Sequence, residues 1–354
     1  MIRDEGVTGT SAVCSQQSAH SRATSICGQT EIVDDSDWSI RLATTMLQAG
    51  HIVGIPTETV YGLAADAARP DAVARVFAAK GRPTDHPLIV HLDEAANLSD
   101  WARHVPSQAS RLADAFWPGP LTLVLDRHPS VLDEVTGGQA TVALRIPAHP
   151  VAKRILRAFG GGLAAPSANL FGRVSPTTAC DVCAALGGGV DLVVDGGPCE
   201  VGVESTIVAF DGEEVVILRP GGVSPEAIAS VLGHPARAAA RGALRVPGML
   251  ASHYAPATSL ELCSGENAHR RAAELVSTGR RVGVLSLARI EVAGVTVAWD
   301  AGGEMALFAR SLYQRLRQAD DEALDVLVVA LPPEDGLGAA IRDRLRRAAH
   351  RPGL

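Results

Sequence analysis

What most constrains this chain is a rhythm: short apolar runs, each bordered by a turn rich in proline, glycine or hydroxyl residues, alternate with segments of helical period. His51–Ile55 runs into Pro56-Thr57-Glu58-Thr59-Val60-Tyr61-Gly62-Leu63. Leu88–Val90 follows Pro87, Leu121–Leu125 follows the Trp117–Pro120 turn, and Leu163–Ala165 runs into Pro166. Between them lie helices over Asp37–Gln48, with Ser36 placed to cap it and Gly50 to end it, over Asp71–Ala79 and over Pro150–Phe159. Ala95–Trp101 and Pro106–Phe116 read as short helices. Strands that alternate with helices indicate an α/β fold. In open α/β sheets, ligands sit where the chain leaves a strand.

At 354 residues the chain has room for two domains. A leader over 1–34, rich in Ser, Thr, Gln and Gly, is expected to be disordered. An α/β domain follows over 35–232. It includes a hairpin around Asp211-Gly212 and ends on a helix over Pro225–Leu232. From Gly233 the composition turns to Ala, Arg, Gly and Pro, marking a linker over 233–258 that carries His253-Tyr254-Ala255-Pro256. The pattern then resumes over 259–354 as a smaller Rossmann-like α/β domain, with strands near 260, 282–285, 295–298 and 326–329. That domain lacks a G-x-G-x-x-G turn, which excludes an ordinary dinucleotide site. No run approaches a membrane span or a signal-peptide core, so the expected compartment is the cytoplasm. Six cysteines in a chain this long do not make a disulfide framework, and Cys180-x-x-Cys183 sits in a helical run without the partners of a zinc site.

The chemistry starts from what is missing. There is no phosphate loop of Walker type, no H-E-x-x-H and no nucleophile elbow. Instead, polar groups gather at strand ends. Lys80, Arg82, His86 and His91 share one loop stiffened by Pro83 and Pro87. Arg145 lies on the same strand face as Thr141 and Ala143 and needs an anionic partner, from a ligand or from the protein itself. Ser167 and Asn169 alternate on one face, and Ser175 is expected to open the next helix as its N-cap, making a phosphate cradle. Ser205 and Arg219 close the set, and Glu58 and Glu204 are its carboxylates. Such a site positions a triphosphate beside a small carboxylate-bearing substrate and acts electrostatically. Mg²⁺ would be held by phosphate oxygens and water, since no carboxylate cage is evident. A net charge of −7 and 4% aromatic residues argue against a broad nucleic-acid surface or a base-stacking platform. The rival from another class is a double-stranded-RNA-binding module without catalysis, recognisable by a steep salt dependence.

Taken together, Pro56–Leu63, Lys80-Gly-Arg-Pro83 with Pro87–His91, Pro166-Ser-Ala-Asn169 with Ser175-Pro-Thr177, and Glu204-Ser-Thr-Ile207 resemble the YrdC-like family of threonylcarbamoyl-AMP synthases. His253–Pro256 and the trailing domain resemble its longer, two-domain form. The resemblance implies a twisted open sheet with a concave basic cavity. It also implies a nucleotidyltransferase reaction, in which L-threonine, bicarbonate or CO₂, and ATP with Mg²⁺ give threonylcarbamoyl-AMP and pyrophosphate. The product would pass to a separate transferase complex that modifies adenosine in tRNA. By the same resemblance, Thr59, His91, Arg145, Ser205 and the backbone of Ala165 hold threonine. Arg82, His86, Thr141, Ser167, Asn169, Ser175 and Arg219 hold ATP, and Lys80 with Arg82 serves catalysis. His253 and Tyr254 fold over the nucleotide as a lid. Two positions depart from the family pattern: His86 stands where asparagine is common, and Phe171 is bulkier than the usual small polar residue.

Overall fold

The computed structural model describes residues 24–27, 30–94, 98–239, 244–249 and 252–350. The first domain begins β1 (Thr24–Cys27), β2 (Thr30–Val33), α1 (Asp37–Gln48), β3 (Val53–Ile55), β4 (Gly62–Asp66), α2 (Pro70–Lys80) and β5 (Ile89–His91). It continues α3 (Ser107–Phe116), β6 (Leu121–Asp126), α4 (Asp133–Thr136), β7 (Thr141–Arg145), α5 (Pro150–Phe159), β8 (Leu163–Ala164) and α6 (Ala179–Leu186). β9 (Leu192–Val194), the hairpin of β10 (Thr206–Asp211) and β11 (Glu214–Arg219), α7 (Pro225–Leu232) and β12 (Arg237–Ala238) complete it.

These strands form one mixed sheet in the order β1-β2-β9-β3-β4-β8-β5-β7-β6-β10-β11-β12. Alternation of side chains gives it two packed faces. Leu63 and Ala65 of β4 face the core shared with Val73, Val76 and Phe77 of α2, while Ala64 faces the core shared with Ile40 of α1 and Ile155 of α5. Because neighbours run both parallel and antiparallel, one rim collects strand beginnings as well as endings. His91 is level with Arg145 across β5 and β7, Thr206 with Leu121 across β10 and β6, and Ile207 with Arg219 across β10 and β11.

Three expectations need correction. The ordered chain begins before Asp35, because β2 pairs in parallel with β9 and buries Val33; the rest of the expected leader, 1–23 and 28–29, lies outside the described residues. Of the short helix expected over 95–101, residues 95–97 also lie outside them, and Leu98–Asp100 forms a single 3₁₀ turn. Ser175 does not cap a helix. Thr178 caps α6 in a reciprocal box with Asp181, whose carboxylate also accepts from the backbone of Thr177. Those amides are therefore occupied by the protein's own carboxylate and form no phosphate cradle.

The second domain holds β13 (Ser259–Cys263), α8 (Gly265–Ser277), β14 (Val282–Ser286), β15 (Val297–Asp300), α9 (Met305–Asp321), β16 (Val326–Ala330) and α10 (Gly338–Ala349). Its four strands are all parallel, in the order β13-β16-β14-β15. It is more than an appendage on a linker. Its core of Phe308, Leu312, Leu316 and Leu345 runs on into Val60, Val174 and Val203 of the first domain. Gly202, at φ +77°, lies so close to α9 that an added Cβ would come within 2.4 Å of the Arg310 Cα. Arg317 crosses the boundary to Asp181 at 2.6 Å and to the Ser175 carbonyl at 2.8 Å. Among the described residues no helix is long and apolar enough to cross a membrane.

Candidate active site

Against the first domain, under the segment joining the domains, lies a recess that is partly open to solvent. Its floor is the turn after β3. The Thr57 hydroxyl donates to the Val60 carbonyl at 2.6 Å and lies 2.8 Å from the Thr59 hydroxyl, fixing the turn. Arg145, at the end of β7, donates to Thr59 Oγ1 at 2.9 Å, to Glu58 Oε1 at 2.6 Å and to the Gly119 carbonyl at 3.1 Å. Glu58 is thus the internal anion that a buried guanidinium requires. N–H groups on both terminal nitrogens of Arg145 remain for a ligand.

Three further cations face the recess without a carboxylate partner. Lys80 ends α2, where Gly81 adopts the left-handed conformation, and its ammonium donates to the carbonyls of Ser167 and Asn169. Burial, with the neighbouring Arg82 charge, holds its pKa well below the ordinary lysine value. Arg82 donates to the Pro87 carbonyl at 2.9 Å, while its Nε has no partner; burial lowers its pKa to about 10. Arg219 is held by the carbonyls of Ser205 and Pro247, at 2.8 and 2.9 Å. Buried cations held only by neutral groups carry net positive charge into a low-dielectric recess, which suits a polyanion. Glu204, the carboxylate that lines the recess, is engaged by Ser175, Tyr313 and Arg344. Neither Glu58 nor Glu204 is free, and among the described residues no cluster of His, Cys, Asp and Glu could hold a metal ion.

The recess brings together Thr59, Lys80, Arg82, His91, Arg145, Ala165, Ser167, Asn169, Ser205, Arg219, His253 and Tyr254. Three expected members lie elsewhere. Thr141 sits at the opposite end of β7 from Arg145. His86 packs edge-on against Phe171 at 5.4 Å, outside the lining, and Phe171 lines the wall in its stead. Ser175 is buried behind the wall, donating to Glu204 at 2.7 Å. Sequence reasoning missed Pro247 and Gly248 as lining residues and missed Arg344 and Tyr313 behind the wall. A Cβ on Gly248 would meet the Tyr254 hydroxyl at 2.3 Å, so a glycine there is the one available signal.

Tyr254 closes the top of the recess at φ +61°, a conformation that costs a non-glycine residue about 1–3 kcal/mol. Its hydroxyl and the His253 Nδ1 are buried without partners. Burial pushes the Tyr254 phenol up to about 12 and holds His253 and His91 down at about 3. Between about 3 and the unfolded value of about 6.5, the unfolded chain binds protons that the folded one refuses. Stability from these histidines is complete above about pH 6.5 and is lost as the pH falls toward 3. Thermal unfolding should therefore show a melting temperature that drops from pH 7 to pH 4. His91→Asn should flatten that drop; an unchanged slope would mean that His91 is not the buried neutral group described.

The chain was compared with known proteins. Residues 45–221 match the Sua5/YciO/YrdC family, described as "Telomere recombination", and residues 223–350 match the C-terminal domain of threonylcarbamoyl-AMP synthase. A threonylcarbamoyl-AMP synthase of Pyrococcus abyssi is 39% identical over 324 residues, covering 88% of this chain and 94% of that protein. One of Bacillus subtilis is 40% identical over 330 residues, covering 90% and 95%. The crystal structure of P. abyssi Sua5 complexed with L-threonine superposes with a TM-score of 0.84 at 36% identity, covering 90% of this chain and 97% of that one.

Proposed function

Since the chain belongs to the Sua5/YciO/YrdC family in its two-domain form, we propose that it is a threonylcarbamoyl-AMP synthase, supplying the first intermediate of threonylcarbamoyl modification of tRNA adenosine. The single observation that carries this reading is the recess in which Lys80, Arg82 and Arg219 converge without carboxylate partners beside the Thr59–Arg145 pair. One end suits a small zwitterion. The other suits a triphosphate.

In the reaction we infer, the threonine amine adds to CO₂, forming an N–C bond and releasing a proton. A carbamate oxygen then attacks the α-phosphorus of ATP, and the bond to the pyrophosphate leaving group breaks. This makes the enzyme a nucleotidyltransferase. Arg145, with Thr59, His91, Ser205 and the Ala165 backbone, forms the threonine end. Arg82, Ser167, Asn169 and Arg219 form the nucleotide end, and Lys80 stands between the two. Mg²⁺ would arrive on the phosphates and offset their charge, since Glu58 and Glu204 are already engaged. The work of the protein is to hold a labile carbamate beside ATP and to exclude water, and the buried His253–Tyr254 strap serves the second task. His86, Thr141 and Ser175 are left out of the nucleotide contacts, because none of them lines the recess.

The test is direct. The protein is incubated with ATP, Mg²⁺, bicarbonate and each amino acid in turn, and pyrophosphate is measured. Release that depends on threonine is the expected result. Release independent of any amino acid, or none at all, would sink the assignment.

A further inference from the structure

Glu204 sits two residues beyond Gly202, at the entrance to β10, and is buried. Its carboxylate accepts from three separate segments: Ser175 Oγ at 2.7 Å, the Tyr313 hydroxyl at 2.8 and 2.9 Å, and Arg344 Nε at 2.6 Å. Tyr313 belongs to α9 and Arg344 to α10, and both are fully buried. The same two side chains also grip the strap. The Arg344 guanidinium lies 5.2 Å from the centre of the Tyr254 ring, and the Tyr313 ring stacks on it at 5.7 Å. The backbone of α10 accepts from the His253 amide as well, Arg347 O lying 3.3 Å away. One cluster from the second domain therefore reaches two parts of the recess. It holds the carboxylate immediately before Ser205, and it holds the ring that covers the top.

We propose that Tyr313 and Arg344 are positioning residues: through this shared cluster the second domain sets both the Ser205 wall of the recess and the placement of the Tyr254 ring above it. This rests on reading the recess as the synthase site. Apolar contacts alone would join the domains, since Val60, Val174 and Val203 already continue the second core. Burying an ion pair there adds little attraction, but it specifies geometry. Ser205 receives that geometry directly. Its hydroxyl lies 2.8 Å from Thr122 Oγ1 and 3.1 Å from Arg219 Nη2, so displacement of Glu204 would carry through to a cation of the recess. The strap cannot lift without leaving Arg344 and Tyr313. The two side chains that hold Glu204 are thus the ones the strap leaves when the recess opens.

The full chain is tested with Arg344→Lys, which keeps the charge and loses the planar face, and with Tyr313→Phe, which keeps the ring and loses the hydroxyl. Threonine-dependent pyrophosphate release gives kcat and both KM values, hydrogen exchange reports on residues 252–258, and thermal unfolding controls for folding. Arg344→Lys should lower kcat about tenfold and speed strap exchange about tenfold, the scale of a desolvated cation–π contact, with melting close to the parent's. Tyr313→Phe should raise the threonine KM about tenfold, the scale of a hydrogen bond to a charged group, with strap exchange unchanged. Parental kinetics and exchange in both variants, or losses that only track a lower melting temperature, would overturn the proposal. If the parent itself releases no pyrophosphate with threonine, the synthase reading fails instead, and strap exchange in Arg344→Lys still decides whether the cluster holds the strap.

Discussion

Lys80→Met is expected to lower threonine-dependent turnover by about 10²–10³-fold, the usual effect of removing one aimed electrostatic donor, while the folded state stays at least as stable as the parent's. The argument rests on where α2 ends. The helix delivers Lys80 into the recess and stops on Gly81, so the ammonium cannot swing back to water. It meets two carbonyls, no carboxylate, and the repulsion of Arg82. For a lysine with a depressed pKa, the cost to folding is fully present below the folded value and is relieved as the pH rises toward the unfolded value of about 10.4. At neutral pH the parent carries that burden and the methionine variant does not. Lys80→Arg should rescue poorly, because a planar fork does not reproduce a compact ammonium. Pyrophosphate release and thermal unfolding of the same preparations decide the matter. A variant that melts far below the parent yet turns over normally would make Lys80 a strut instead.

The second large effect is expected at Arg145. Its pair with Glu58 is buried, with side chains 4% and 7% exposed, so removing one partner strands the other. Arg145→Ala should cost about 3–5 kcal/mol of stability, whereas Arg145→Met combined with Glu58→Gln should recover most of that loss. Activity should not follow stability back. Both versions lack the guanidinium at the threonine end, so the KM for threonine should rise about 10–100-fold and that for ATP far less, as befits a lost hydrogen bond to a charged group. Denaturant unfolding of the parent and the two variants separates the terms. Equal losses for threonine and ATP would remove Arg145 from the threonine end.

Much of this was legible in the sequence where local signals agreed. Ser36 and the Pro–Gly punctuation marked α1, α5 and α7 to within a residue, because capping and apolar period are properties of a few neighbouring side chains. The recess was visible as basic and hydroxyl residues recurring at strand tips. Thr141 and Arg145 show where that reasoning stops: period places them on one face of β7 at its two ends, but only the structure shows that the recess lies at the Arg145 end. Ser175 shows the limit of cap statistics, since Thr178 wins through its reciprocal bond with Asp181. Arg344 and Tyr313 carry no motif at all. Their meaning depends on a contact with Glu204 across more than a hundred residues of chain, which no window on the sequence contains.

The near-contact of Gly202 with the Arg310 backbone has a consequence for anyone who recombines such proteins. A hybrid that takes its two halves from different parents would need a residue without a side chain at this seam. Any larger one would wedge the halves apart, and the misfit would be felt first at Val203 and Glu204, the two residues that follow it.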